Sequence, residues 1–358
     1  MLRLLLLNAL LVSAMACPPA TAEPMPDHYV PALKRIFMAS QAPGMVASIV
    51  AGDRTFTIGF GSTSADNSAA PNEDTLLHLN SLSKLMTGQI LAASAARNLI
   101  ALSDPLQRFA PVGRTLSNAS ITIRDLLVHT SGMARDVPQS VWRTDAPREG
   151  RWAWLEATPL RRPPGRVAEY SNAAYLFLGD ALEQATHLPY ASLLRRDFSA
   201  PLQLSDTTLA PTPGQCRRLL SRGRSSCPPA DSTAASSGIY STTKDMARWL
   251  RALMSARPGT VLYTTRQDLV TRHDLQALVA LDFAGRADAI AWGWLRMSIA
   301  GENVLQKTGG GSDTMNYVIM SPKKQKALFI TASRMDLAML RRLTRSANKL
   351  MVELVSAP

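Results

Sequence analysis

From His28 to Ser40, in HYVPALKRIFMAS, apolar residues recur every three or four positions, the period of a helix with one buried stripe. The period then changes. GMVASIVAGDRTFTIGFG carries two strand-like runs on either side of Gly52-Asp53, a dipeptide suited to a tight hairpin. Comparable runs return near the other end, where AWGWLRMSIAGENVLQKTG, MNYVIMSP and KKQKALFITAS read as short strands separated by Gly, Asn or Pro-Lys turns. A long amphipathic helix is predicted from roughly Asp336 to Val355. Between these ends, from Leu82 to about Leu281, the pattern is mostly helical, broken by loops rich in proline, arginine and glycine at 143–151 and 158–168.

That distribution predicts an α+β fold: an antiparallel sheet formed from both chain ends, flanked by helices, with a mostly helical inserted subdomain. The sheet part is expected at about 28–78 and 290–358 and the helical part at about 80–288, within a single catalytic domain spanning 23–358. A catalytic cleft would lie between sheet and insertion. No internal repeat or low-complexity segment interrupts this plan.

With 358 residues, 46% hydrophobic and 18% charged, the chain can bury one large core or two closely joined subdomains. Its first residues add a location. MLRLLLLNALLVSAMACPPATAEP has Arg3, then an apolar run from Leu4 to about Ala16, then small residues at Ala20 and Ala22, the layout of a secretory signal over residues 1–22. The run falls short of the roughly 20 apolar residues that cross a bilayer. Export to the periplasm is therefore expected. Lipid attachment at Cys17 is disfavoured, because Ala14-Met15-Ala16 lacks the leucine usual three places before such a cysteine. Cleavage after Ala22 leaves Cys216 and Cys227, an even pair in an exported chain, and a disulfide closing that short loop is expected. Metal binding there is not, since no nearby histidine completes a ligand set.

Lys and Arg number 39 against 27 Asp and Glu, a formal charge of +12. Export argues against nucleic acid as the partner. Arg217, Arg218, Arg222 and Arg224, inside the cysteine loop, form either a solvated loop or a basic surface for peripheral docking to an anionic wall or membrane.

The candidate chemistry begins at LNSLSKLMTGQ, residues 79–89. Ser81 and Lys84 are three apart, so on a helix they share a face and the amine can approach the hydroxyl. A serine needs such a base to become a nucleophile. A lysine serves only if burial or neighbouring positive charge pulls its pKa well below about 10.4. The nearly uncharged LMTGQILAASAARNLI that follows predicts a buried helix. Alone, SxxK is a weak signal. Its weight comes from Tyr170-Ser171-Asn172, on a loop leading into a helix, and Lys307-Thr308-Gly309, at the end of a predicted strand.

These three motifs, in this order, resemble those of the serine penicillin-recognising family, whose SxxK, Tyr-x-Asn and Lys-Thr-Gly line one cleft. The Tyr-x-Asn form is similar to that of the class C β-lactamase branch, as are HTSGM at 129–133 and SSGIYSTTKDMARWL from 236 on, so the resemblance spans roughly 28–356. PTPGQCRRLLSRGRSSCPP and QKTGGGSDTMNYVIMSPKK resemble the AmpH-type penicillin-binding proteins, periplasmic D-alanyl-D-alanine carboxypeptidase/endopeptidases that trim peptidoglycan.

The resemblance implies a β-lactamase/transpeptidase-like fold and a serine hydrolase with no cofactor, acting on peptidoglycan stem peptides and binding β-lactams. It implies that Ser81 forms an acyl-enzyme and that Lys84 shares or relays its proton. Tyr170 would act as base for acylation and deacylation, with Lys84 and Lys307 supporting its ionised form; whether Lys84 or Tyr170 is the true base stays open. Asn172 would hold the substrate amide, and Lys307 and Thr308 its negative charge. Gly309 and Gly310 would let the backbone approach. The amides of Ser81 and Gly310 would bind the oxyanion.

Other candidates carry less. His129 reads as a structural hydrogen-bonding residue more than a general base. His28, His78, His187 and His273 have no metal-ligand spacing, and the chain has no HExxH or GxSxG. Trp142, Trp152 and Trp154, near Arg143, Arg148 and Arg151, could line a glycan or peptide surface, or cap a core. Two alternatives to the DD-peptidase are a class C-like β-lactamase, set apart by rapid turnover of a chromogenic cephalosporin, and a non-catalytic penicillin sensor, set apart by acylation without products. An esterase of the same fold would have no need of Lys307.

Overall fold

The computed structural model describes residues 28–357 apart from 118–119, 143–146, 228–232 and 312. The signal expected at 1–22, Cys17 and Arg143 lie outside the described residues, as does the side chain of Trp142.

The first helical stripe forms α1 (Tyr29–Ser40). The hairpin after it joins β1 (Gly44–Ala51) to β2 (Arg54–Gly61) through Gly52, whose φ of +61° glycine adopts without strain. Within the insertion lie α2 (Ser83–Ala96), α3 (Asn172–Thr186) and α4 (Thr243–Met254). The sheet resumes with β3 (Val270–Thr271), β4 (Ala289–Ile290), β5 (Leu295–Ile299), β6 (Glu302–Gly310), β7 (Met315–Ser321) and β8 (Lys326–Ala332). The chain closes with α5 (Leu337–Ser356), capped by the Asp336 carboxylate, which accepts the Met339 N–H at 2.7 Å.

These eight strands form one sheet in the order β2-β1-β8-β7-β6-β5-β4-β3. Every neighbouring pair is antiparallel, and β1 pairs with β8, Val46 opposite Thr331, so the two ends of the chain meet inside the sheet. This is the expected α+β arrangement, with one correction. The sheet takes its outer strands from residue 270 onward, not 290, because β3 and β4 have only two residues each and show no alternation to read.

Side chains alternate across the sheet. Met45, Ala47 and Ile49 of β1 and Leu328 and Ile330 of β8 face α1 and α5, where Leu33, Ile36, Leu343, Leu350 and Leu354 cover them. Val46 and Val50, with Val318, Met320 and Phe329, face the insertion and join its core. There α2 is buried from Ser83 to Ser94, as befits a helix with few charges on any face.

The insertion is not helical throughout. Leu76–His78 pairs antiparallel with Tyr240–Thr242, and Val167–Glu169 pairs parallel with Ala277–Val279. Trp152 is fully buried, with its Nε1–H donating to Asp180 at 2.9 Å, and Trp154 packs against the core. Arg151 donates to the same carboxylate. These residues are core, not a glycan surface. The sulfurs of Cys216 and Cys227 are joined, with 5.9 Å between Cα atoms. In that loop Arg218 pairs with Asp206, while Arg222 and Arg224 are exposed. No described helix is long and apolar enough to cross a membrane.

Candidate active site

Between Leu76–His78 and α2 the chain reverses sharply. Asn80 takes a left-handed φ of +50°, which asparagine tolerates, and its side-chain amide donates to the His78 carbonyl at 3.1 Å and to Thr314 at 3.0 Å. The turn that follows, Asn80–Leu82, leads directly into α2 and leaves Ser81 half-buried at the cleft.

Lys84 occupies the first turn of α2 and has no exposed surface. Its Nζ donates to Asn172 Oδ1 at 2.7 Å and to the Ser236 carbonyl at 2.8 Å, and lies 5.1 Å from the centre of the Tyr170 ring. Burial pushes its pKa well below the usual lysine range, and the Arg135 charge adds to that shift, while Asp136 opposes it. This is the environment a lysine base needs. Yet the hydrogen bond at the Ser81 hydroxyl comes from Tyr170, whose OH donates to Ser81 Oγ at 2.7 Å.

Tyr170 follows the strand Val167–Glu169 and is held on both sides. Its N–H donates to the Val279 carbonyl at 3.1 Å. Next to it, the Ser171 N–H donates to His129 Nδ1 at 3.2 Å, and the Ser171 hydroxyl caps α3 by accepting the Ala174 N–H. His129 is buried, and burial together with Lys307, Lys84 and Arg135 pushes its pKa well down, so its ring is neutral. With Nδ1 accepting, the proton sits on Nε2. His129 thus holds the segment that carries Tyr170.

Asn172 opens α3 with its amide engaged at both ends: Oδ1 accepts from Lys84, and Nδ2 donates to Asp136 at 2.7 Å. Asp136 and its neighbour Arg135 belong to no motif found in the sequence. The Arg135 guanidinium stands 4.9 Å from the Tyr170 ring, and its carbonyl accepts the N–H groups of Asn172 and Ala173.

Across the cleft, Lys307, Thr308, Gly309 and Gly310 end β6. The register of β6 with β5 stops at Gln306 opposite Leu295, whereas its register with β7 runs on to Gly310 opposite Met315. From Lys307 to Gly310 one strand edge is therefore unpaired in the sheet. Gly311 donates to the Thr314 carbonyl, and the alternation of an antiparallel ladder then directs the Gly310 N–H away from β7, toward that edge. Gly309 lies against the Asn80–Leu82 turn, where a Cβ would sit 2.7 Å from the Leu79 carbonyl oxygen and 3.0 Å from the Leu82 nitrogen. At Gly310 the nearest atoms belong to the flexible Met335 side chain.

Asn316, also outside any motif, ties strand to turn: its amide donates to the His78 carbonyl at 3.0 Å and the Leu79 carbonyl at 3.2 Å, and its oxygen accepts from Thr331. Lys307 is 3% exposed and lies 5.4 Å from the Tyr170 ring centre. Burial pushes its pKa down to about 8, with Tyr170 opposing the shift and Lys84 adding to it. The enclosed part of the cleft is about 130 Å³, with Ser81, Tyr170, Lys307 and Thr308 on its polar side and Phe283, Met335 and Leu337 on its apolar side.

Every site residue expected from the sequence lies in or beside this cleft, except the cysteines, which belong to a loop elsewhere. The one expected approach that another group takes is that of Lys84 to Ser81. The signal that could have found Arg135 and Asp136 is thin: they are the second and third residues after HTSGM.

Residues 30–351 match the beta-lactamase family. The chain is 33% identical to the D-alanyl-D-alanine-carboxypeptidase/endopeptidase AmpH of Escherichia coli K12, over 97% of this chain and 94% of that protein. The crystal structure of a β-lactamase/D-alanine carboxypeptidase from Yersinia pestis, complexed with citrate, matches with a TM-score of 0.83 and 35% identity, covering 90% of this chain and 96% of that one. A class C β-lactamase from Rhodobacter sphaeroides shares the fold, with a TM-score of 0.76 over 91% of this chain and all of its own, at 19% identity. The chain belongs to the beta-lactamase family of serine hydrolases.

Proposed function

We propose that the protein is a periplasmic serine DD-peptidase, a D-alanyl-D-alanine carboxypeptidase and endopeptidase of peptidoglycan that also binds penicillin covalently at Ser81. The observation that carries this reading is the 2.7 Å contact between Ser81 Oγ and the Tyr170 hydroxyl, opposite a free strand edge bearing Lys307 and Thr308.

In the neutral pair the phenol donates. As phenolate, Tyr170 accepts the Ser81 proton over the same distance while Oγ attacks the scissile carbonyl. Lys84, whose amine is engaged by Asn172 and Ser236, acts through Tyr170 and Asn172. This favours Tyr170 over Lys84 as the proton acceptor. The substrate lies along the β6 edge as an added strand. Its carboxylate meets Lys307 and Thr308, its amide meets Asn172, and the developing oxyanion accepts the N–H groups of Ser81 and Gly310. Tyr170 returns the proton to the leaving amine, and the same residue then activates water to cleave the acyl-enzyme. A carboxylate beside the scissile bond is present both on terminal D-alanine and on the D-centre of a cross-linking diamino acid. One site therefore serves both cleavages.

A second reading, a class C-like β-lactamase, has support in the same Ser81 and Tyr170 pair, because the two activities differ only in which acyl group water removes quickly. Mass spectrometry of muropeptides incubated with the exported protein separates them. Loss of terminal D-alanine and opening of cross-links, both absent with Ser81→Ala, is expected. Intact muropeptides together with fast hydrolysis of a chromogenic cephalosporin would overturn the peptidase in favour of the β-lactamase. Intact muropeptides with a stable penicilloyl-protein would mark a sensor.

A further inference from the structure

The oxyanion of the reaction above needs two N–H groups that converge on one point, yet they belong to segments far apart in the chain: Ser81 on the turn Asn80–Leu82, and Gly310 at the end of β6. Whatever holds turn and strand to each other therefore sets the hole. The register of the sheet places Gly309 of β6, Asn316 of β7 and Thr331 of β8 in one row. Each acts on the turn differently. Gly309 has no side chain, so the backbone of the turn rests on the strand at distances that leave no room for a Cβ. Asn316 is fully buried, and its Nδ2 donates to the His78 carbonyl at 3.0 Å, to the Leu79 carbonyl at 3.2 Å and to the Gly309 carbonyl at 3.3 Å. Thr331, also fully buried, donates its hydroxyl to Asn316 Oδ1 at 2.8 Å. Three carbonyls on one side and a hydroxyl donor on the other fix which way the amide faces. A single side chain thus bonds both to the two residues that lead into Asn80-Ser81 and to the residue that precedes Gly310.

We propose that Asn316 is a positioning residue for the oxyanion hole: by clamping the Leu79 and Gly309 carbonyls together, it fixes the spacing of the Ser81 and Gly310 N–H groups. It lies beneath the turn and carries no charge, so it acts by geometry alone. This rests on the acyl-enzyme reading given above and adds to it the residue that aligns the two donors. An amide supplies two N–H groups on a side chain long enough to reach both segments, whereas a serine hydroxyl at the same place has one donor and a shorter reach. A second tie, from the Asn80 amide to Thr314, joins the turn to the segment after Gly311 and leaves the Leu79 and Gly309 carbonyls to Asn316.

Two variants test it: Asn316→Ser, and Thr331→Val, which keeps the amide and removes only the bond that orients it. Benzylpenicillin isotopically labelled at its β-lactam carbonyl is mixed with the full chain, and isotope-edited infrared difference spectra record the ester carbonyl of the penicilloyl-enzyme. Donors aimed at the ester oxygen lower its stretching frequency, so the band in Asn316→Ser should move to higher frequency. Acylation should slow about 10- to 100-fold, the effect of donors displaced but not removed. Thr331→Val should shift the band the same way and slow acylation about fivefold, the worth of one neutral hydrogen bond. Neither variant loses a titratable group of the cleft, so the pH dependence of acylation should stay that of the native protein. A merely structural role predicts a lower melting temperature with native band and native rate; that result, or slower acylation with an unshifted band, would overturn the proposal. If Asn316→Ser does not fold, the band in Thr331→Val decides: shifted upward it supports the assignment, unshifted it overturns it. If the native protein forms no ester band, the acyl-enzyme reading fails and this inference fails with it.

Discussion

The two walls of the cleft are built on opposite principles. On the insertion side, Lys84 and Tyr170 are buried and each is held by at least two hydrogen bonds, with Asn172 bonded at both ends of its amide. On the sheet side, β6 runs past its neighbour β5 and leaves the edge from Lys307 to Gly310 without a strand partner. One wall fixes the Tyr170 and Ser81 pair, for which proton exchange is proposed. The other leaves a backbone edge unpaired, beside a lysine that is itself buried. Preorganised donors and acceptors lower a barrier because they need no rearrangement during reaction. An unpaired strand edge is normally a liability, and here it is short and sits in the cleft.

The sharpest way to break this contrast is to remove chemistry from the fixed wall without disturbing its packing. Tyr170→Phe keeps the ring and loses the hydroxyl that touches Ser81. Acylation by a labelled penicillin and the later release of the label should both slow by roughly 10²- to 10⁴-fold, the usual span for a proton-transfer group. Slowing of neither step would return the role of base to Lys84. Stopped-flow fluorescence separates the two rates.

The open wall should show a smaller effect, with a pH signature. Below about pH 8 Lys307 in the free enzyme is protonated and attracts the substrate carboxylate; above it the amine is neutral and that attraction is lost. The value of kcat/KM for a peptide ending in a free carboxylate should therefore fall as pH rises through about 8. Lys307→Ala should lower kcat/KM by about 10- to 100-fold at neutral pH and abolish that alkaline limb. An unchanged limb in the variant would assign it to another group.

The sequence makes some of this legible and hides the rest, for physical reasons. Long periodic elements were readable: α1, the β1–β2 hairpin, β5 to β8 and α5 follow from patterns of 3.6 and 2 residues. The three motifs were readable because each is local. What was not readable depends on contacts between distant segments. Val270–Thr271 is a strand only because Ile290 and Ala289 pair with it. Lys84 has its amine on Asn172 and Ser236 because α3 and the 234–237 helix close over it, and spacing along α2 reports neither. Arg135, Asp136 and Asn316 act by position alone.

The most direct measurement is the site of covalent modification. The protein is incubated with a labelled penicillin, digested, and mapped by tandem mass spectrometry, alongside Ser81→Ala. A single penicilloyl adduct on Ser81, absent from the variant, is the predicted result. An adduct on another residue, or equal labelling of Ser81→Ala, would contradict the assignment of Ser81 as the nucleophile and of the cleft around it as the reaction site.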